Sequence, residues 1–268
     1  MKHLVLILVF ITFPFVMRAQ STVLQSDEAE EIAPQTKVLV IPFHEIRYYF
    51  SDCDKAIAEK SKLDLPRVRK SFMLGLDYAT EHKFEKKYDP MNLAQMKDSV
   101  DKEQLSAFYD HVTYTYEAPS RALSKKQDGV FKRMKKKFKQ IGAKREEKTL
   151  NEEESYTTLD NDANEYMRLH WKGQEYLEGL SAIYTPDIIV TVNQFEIKTD
   201  YAKCIDRDLG RFVREISVHF NVFRPDGKML YGDVVTAKYE STSDNINDII
   251  TDNFGFLAEY IMQAMPKK

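Results

Sequence analysis

The sequence predicts an α/β fold: a small mixed sheet packed by amphipathic helices, with a charged helical insertion in the middle of the chain. Three observations predict it. A short β-branched apolar run, Lys37 to Phe43 (KVLVIPF), fits a strand buried on both faces and is followed by helical spacing, the opening of a β-α unit. Toward the other end, Phe212 to Phe223 alternates apolar and polar residues and leads through Arg224-Pro225-Asp226-Gly227-Lys228 into a second strand-like arm. The composition, 43% hydrophobic and 30% charged over 268 residues, is that of a chain able to bury a sizeable core.

The elements follow in order. Lys2 precedes an unbroken apolar run of 13 residues, Leu4 to Val16, too short to span a bilayer comfortably; residues 1–19 are expected to be a signal peptide cut after Ala19. No cysteine follows that cut and no later apolar stretch approaches 18 residues, so neither lipid attachment there nor a transmembrane segment in the mature chain is expected. Residues 20–36 are acidic, small and without period, a disordered tail, and 37–268 read as one α/β domain. Ser51-Asp52-Cys53-Asp54 resembles a capping box before KAIAEKSK. From Pro66 to Lys83 the spacing of Leu65, Val68, Phe72, Leu76 and Ala79 predicts a helix with Arg67, Lys70 and Asp77 in water. A second helix is expected from Asn92 to His111, then an edge strand at VTYTYEA.

Residues 121–148 hold 12 Lys or Arg against Asp128, Glu146 and Glu147, while 151–165 are acidic, so about 121–165 reads as an insertion. Tyr166, Leu169, Gly173, Leu177 and Leu180 return to helical spacing over Asn164 to Leu180. DIIVTVNQFEI from Asp187 is a strand, Phe212 to Phe223 a strand with Glu215, Ser217, His219 and Asn221 on a wet face, and Met229 to Tyr239 its hairpin partner. Ile246, Ile250, Phe254, Leu257, Ile261 and Ala264 close the chain as an amphipathic helix that stops at Pro266.

Taken together, VLVIPF, the helix after it, DIIVTVNQFEI, RPDGKMLYGDVV and the terminal helix resemble a periplasmic α/β module. That module is shared by the TolB N-terminal domain, the curli secretion channel protein and the lipoprotein activators of penicillin-binding proteins. The resemblance covers Lys37 to Lys83 and Asp187 to Met265, and it implies a role in envelope assembly and partner docking without catalysis. None of those families' functional residues maps onto a position here. This chain also departs from them in its long charged middle and in lacking the lipid-acceptor cysteine that several of them carry.

The chemistry legible in the residues is sparse. A net charge of −3 gives no electrostatic case for nucleic acid, and nine glycines, none in a phosphate-cradling pattern, disfavour the common nucleotide enzymes. His44-Glu45, at the carboxyl end of the first strand, is where open α/β sheets place ligand groups; it reads either as a general base of an unrecognised hydrolase or as an exposed loop pair. Six histidines show no metal spacing, and His219 is expected in solvent. Asp160-x-Asp162-x-Asn164 opens like a calcium loop but fails at Glu165 and Trp171, and the pairs Asp52/Asp54 and Asp206/Asp208 read as solvated loops. No metal or cofactor is therefore expected. Cys53 and Cys204, in an oxidising compartment, either pair as a disulfide or stay separate thiols.

The most informative stretch is GVFKRMKKKFKQIGAKR. As a helix over 129–145 it places Phe131, Met134, Phe138 and Ile141 on one stripe, with Lys132, Arg133, Lys135, Lys136, Lys137 and Lys139 around the rest. The stripe serves either as a dock for an anionic surface or acidic partner, or as local packing against its own domain or the acidic Glu152 to Asp162. The expected function is a non-catalytic, exported envelope protein of the periplasm or outer-membrane periphery of a Gram-negative bacterium, docking an envelope protein or an anionic surface. The alternatives are a membrane-surface binder led by this helix and the hydrolase at His44 and Glu45.

Overall fold

The computed structural model describes residues 35–95, 98–118, 165–206 and 210–266. The expected signal peptide over 1–19, the acidic tail up to residue 34, the insertion up to residue 164 and the whole basic stretch 129–145 lie outside the described residues.

Along the chain, β1 (Lys37–Ile41) is buried from Val38 onward and leads through a loop to the short β2 (Tyr49–Ser51), then α1 (Asp54–Ser61) and α2 (Leu65–Phe84). Asp64 starts α2 by accepting the Arg67 N–H at 2.9 Å, with Pro66 in the first turn, where its missing N–H is not needed. β3 (Asp89–Asn92) follows a tight turn, and α3 (Ser99–Asp110) is capped by Asp98. β4 (Val112–Glu117) and β5 (Tyr166–Trp171) form a separate antiparallel pair, before α4 (Gln174–Tyr184). The long β6 (Ile188–Asp206), β7 (Arg211–Phe223) and β8 (Met229–Glu240), a 3-10 turn at Ser241–Ser243 and α5 (Ile246–Gln263) complete the fold. The turn between β7 and β8 is closed by Arg224 N–H donating to Lys228 O at 2.9 Å, and Gly227 takes φ +82°, a conformation that a side chain would strain.

The main sheet has six strands in the order β3-β1-β6-β7-β8, with β2 beside β6; β1 is parallel to both neighbours, and β6, β7 and β8 are antiparallel. Alternate residues of β1 feed two cores. Val38 and Val40 pack with α2 and α5 through Phe72, Leu76, Phe254 and Leu257, around rings of Phe43, Tyr49, Phe72 and Phe195 whose centroids lie 5.2 to 6.1 Å apart. Leu39 and Ile41 face the opposite way, onto Phe108 of α3, Leu177 and Leu180 of α4, and Phe223. The fold class expected from the sequence, a mixed sheet packed by amphipathic helices, is the one observed.

Five expectations change. The capping box expected at Ser51 to Asp54 does not form, since Cys53 is the N-cap of α1 and no side chain caps the helix. The helix expected from Asn92 begins only at Ser99, because Asp89–Asn92 pairs with β1; Pro90 is tolerated there since β3 is an edge strand. The helix expected over Asn164 to Leu180 is a strand followed by a helix: Tyr166 and Leu169 belong to β5, and helical geometry starts after Gly173. His219, expected in solvent, is 6% exposed and Asn221 is fully buried, because β5 lies across that face of β7. Asp77, expected in water, is 2% exposed.

The connections fix a crevice. From β1 the chain crosses to β3 by α1 and α2 on one face of the sheet; from β3 it returns to β6 by α3, the β4–β5 pair and α4 on the other face. The loops leaving the carboxyl ends of β1 and β3 therefore diverge. Such a divergence opens a gap between neighbouring strands, the place where open α/β sheets hold ligands.

Candidate functional site

His44 and Glu45 follow the carboxyl end of β1 as half-buried loop residues. Tyr109 of α3 packs its ring against His44 with centroids 4.7 Å apart, and its hydroxyl donates to Pro42 O at 2.8 Å. The Nδ1 of His44 accepts the Ile46 N–H at 3.2 Å and the Arg47 N–H at 3.4 Å, so the neutral ring carries its proton on Nε2 and offers the crevice a donor. Burial, and then the nearby Arg47, hold the His44 pKa below its ordinary value. Arg47 itself reaches Asp110 at 3.7 Å, which ties the loop to α3.

Asp77 of α2 and Asn92 at the end of β3 are both nearly fully buried. Asn92 Oδ1 accepts the Ala94 N–H at 3.0 Å, which leaves its Nδ2 without a partner; Asp77 Oδ2, Glu81 Oε2 and Glu45 Oε2 are likewise buried and unpartnered. Burial, then the like charge of Glu81, push the Asp77 carboxyl well above the usual carboxylate range. Glu81 is raised for the same reason, with Glu85 adding to it. Sequence reasoning missed Asp77, Asn92 and Tyr109. One signal was present for the first: Asp77, Thr80 and Phe84 recur at spacings of three and four beside the apolar stripe, so the helix carries a second buried face.

An open groove of about 570 Å³ lies between α1, the start of α2 and the far parts of β6 and β7; Asp52, Cys53, Asp54, Arg69, Thr199 and Arg214 are among its lining residues. Its charges answer one another. Asp52 accepts from the Thr199 N–H at 2.9 Å and from its hydroxyl at 2.8 Å. Arg214 makes a buried bidentate pair with Asp244 through Nε and Nη2, both at 2.7 Å. Burial works to lower the Arg214 pKa, but Asp244 and its neighbours outweigh it and leave the guanidinium raised. Arg69 stands 3.7 Å from Asp54 and 5.7 Å over the Tyr49 ring. Cys53 borders the groove with its sulfur buried, and burial pushes the thiol up to about 11, which disfavours nucleophilic chemistry. On the β6–β7 register Cys204 stands opposite Phe212, another lining residue of the groove.

The remaining sequence candidates are dispersed. Asp206 lies at the end of β6, while Asp208 and the Asp160, Asp162, Asn164 triplet lie outside the described residues. Among the described residues, no cluster of three or more His, Cys, Asp or Glu is arranged to hold a metal ion, and no helix is long and apolar enough to cross a membrane.

The fold thus defines an α/β protein whose chain leaves the carboxyl ends of two neighbouring parallel strands, β1 and β3, for opposite faces of the sheet. No family model matches the chain, and no curated protein is similar enough in sequence to match. Among solved structures the chain is similar to the lipoprotein GNA1162 from Neisseria meningitidis, with 14% identity, a TM-score of 0.34, and 85% of this chain and 96% of that chain covered.

Proposed function

We propose that the protein is exported to the cell envelope and acts there without catalysis, as a docking or assembly factor that engages an anionic surface through its charged insertion. One observation carries the reading. β4 and β5 stay paired up to Glu117 opposite Tyr166, so the two ends of the segment that holds the basic stretch lie at adjacent points on a two-stranded root. Cross-strand contacts brace that root: Arg168 Nη1 lies 2.9 Å from Glu117 Oε2, and the Thr115 hydroxyl meets His170 Nε2 at 2.7 Å. The basic stretch with Phe131, Met134, Phe138 and Ile141 belongs to this appended segment, and its lysines favour a phospholipid or other anionic surface.

The test is cosedimentation with phosphatidylglycerol vesicles of the wild type and of a variant with Lys135, Lys136 and Lys137 all changed to Glu. Each lysine near such a surface contributes about 1 kcal/mol, so reversing three should abolish binding at moderate salt. Unchanged binding removes the surface reading and leaves an acidic protein partner. Export is checked by N-terminal sequencing, with Gln20 the expected first residue. The pairing of Cys53 with Cys204 belongs to the same proposal. Thiol counting on denatured, unreduced exported protein supports it if no free thiol is found and removes it if two are.

A further inference from the structure

The groove between α1, the start of α2 and the far parts of β6 and β7 has a charged lining of Asp52, Asp54, Lys55, Arg69 and Arg214. Arg214 is consumed by its buried pair with Asp244, which leaves two acids against two bases and a lining without net charge. A charged ligand gains little there. The hydrogen bonds are not balanced in the same way. Asp52 is pinned by the N–H and hydroxyl of Thr199, and Asp54 accepts from the Tyr49 hydroxyl, yet a carboxylate has about four lone-pair sites, so both acids keep acceptor capacity. Arg69 makes no hydrogen bond among the described residues: its Nε is buried without an acceptor, and Asp54 stands 3.7 Å away. Fixed acceptors therefore sit beside a fork of unspent donors that the Tyr49 ring holds in place. The far wall is aromatic. The β6–β7 ladder is interrupted between Asp200 and Cys204, and Asp200 Oδ1 holds the resulting bulge by accepting the Ala202 and Lys203 N–H groups, each at 3.2 Å. Such bulges re-aim side chains. Here Tyr201 stands edge-on to Phe212, with centroids 5.5 Å apart, and stays 67% exposed where both rings line the groove.

These features select the ligand. A purely apolar molecule would cover the carboxylates and the guanidinium without bonding them, which is costly, and a small polar one would leave the aromatic wall unused. A sugar ring answers both. Each hydroxyl donates and accepts, so neighbouring hydroxyls can meet a carboxylate and a guanidinium together, while the C–H face of the ring packs on an aromatic face and the whole molecule carries no charge. The groove, about 570 Å³ and open along one side, is in the size range of ligand sites and admits a chain of sugars as readily as one. We propose that it binds a neutral oligosaccharide, one ring stacked on Tyr201 beside Phe212, its hydroxyls donating to Asp52 and Asp54 and accepting from Arg69. The site shares no lining residue with the charged insertion, so the two proposals stand or fall separately.

NMR titration of the full chain with chitotriose and with cellotriose tests it, with trigalacturonate as the anionic counterpart. At least one neutral trisaccharide should shift the Tyr201 ring and the Thr199 amide saturably, with an affinity that does not change from low to high salt. Arg69→Gln removes the charged donor fork and should weaken binding about tenfold or more. Tyr201→Ala should weaken it about fivefold while Tyr201→Phe, which keeps the face of the ring, retains it. Because Tyr201 is mostly in solvent, its variants are expected to keep the wild-type melting temperature and so to report on binding even where Arg69→Gln perturbs α2. Absence of saturable shifts from both neutral sugars at tens of millimolar, or undiminished affinity in folded Tyr201→Ala, would overturn the proposal. Tighter and salt-sensitive binding of trigalacturonate would overturn it too, by making the groove an anion site.

Discussion

Two buried titratable side chains pull the stability of the molecule in opposite directions with pH. His219 Nδ1 accepts the Met167 N–H at 2.9 Å, and burial, then Lys198, lower its pKa from 6.5 to about 4. Between those values the unfolded chain takes up a proton that the folded chain refuses, so stability is whole above 6.5, falls as the pH drops and levels off below about 4. The full difference is about 3 kcal/mol. His219→Gln should flatten this limb in denaturant unfolding measured from pH 7 to 4; an unchanged wild-type-minus-variant difference would count against a buried neutral imidazole. Asp77 has the reverse sign. Its raised pKa means that the folded chain holds the proton more tightly, a contribution present below the ordinary carboxylate range and lost as the pH rises through the folded value. Asp77→Asn should therefore gain melting temperature relative to wild type on going from pH 4 to pH 8, and a constant offset would contradict the assignment.

The second sheet is attached to the first through side chains. With β4 on one side of β5, the groups on its other side are met by Asn221 Oδ1, which accepts the Leu169 N–H at 2.7 Å, by His219, and by Asn193 Nδ2, which donates to Met167 O at 2.8 Å. Tyr166 completes the contact by lying over Gly232, where any Cβ would run into its ring. Asn221→Leu leaves the Leu169 N–H buried and unanswered, a cost of about 1 to 3 kcal/mol, and should speed hydrogen exchange at Met167 and Leu169 ahead of β1 and β6. Equal protection in both proteins would show that packing alone holds β5. This attachment also explains what the sequence did and did not disclose. KVLVIPF, the Pro-Asp-Gly-Lys turn and the stripe of the last helix carry local signals, and each forms as read. β5 does not, because Tyr166 and Leu169 fall at helical spacing with Gly173 by coincidence, and only their partners Glu117 and Tyr114 in β4 make them a strand. The polar face of β7 looked wet since no short-range pattern records that another strand will use its polar groups. The burial of Asp77 and Asn92, and the contact of Tyr109 with His44, arise only through the crossing of layers.

For the molecule as a whole, the path of the chain separates the α/β body from the segment attached to it. Because Glu117 and Tyr166 are paired neighbours, joining residues 117 and 166 through a short Asn-Gly-containing turn should close β4 and β5 as a hairpin. The shortened protein is expected to melt within a few degrees of wild type and to lose vesicle binding. A collapse in melting temperature would mean that the insertion packs into the core, the competing reading of its apolar stripe. The same pairing gives the protein a natural seam. A single cut by trypsin anywhere in the lysine-rich segment divides it into one piece ending with β4 and another beginning with β5, yet β4 remains laddered to β5, and β1 remains flanked by β6 of the other piece. The two halves should stay together as a nicked complex through gel filtration and, made separately, find each other again, so that a protein written as one chain can be assembled from two.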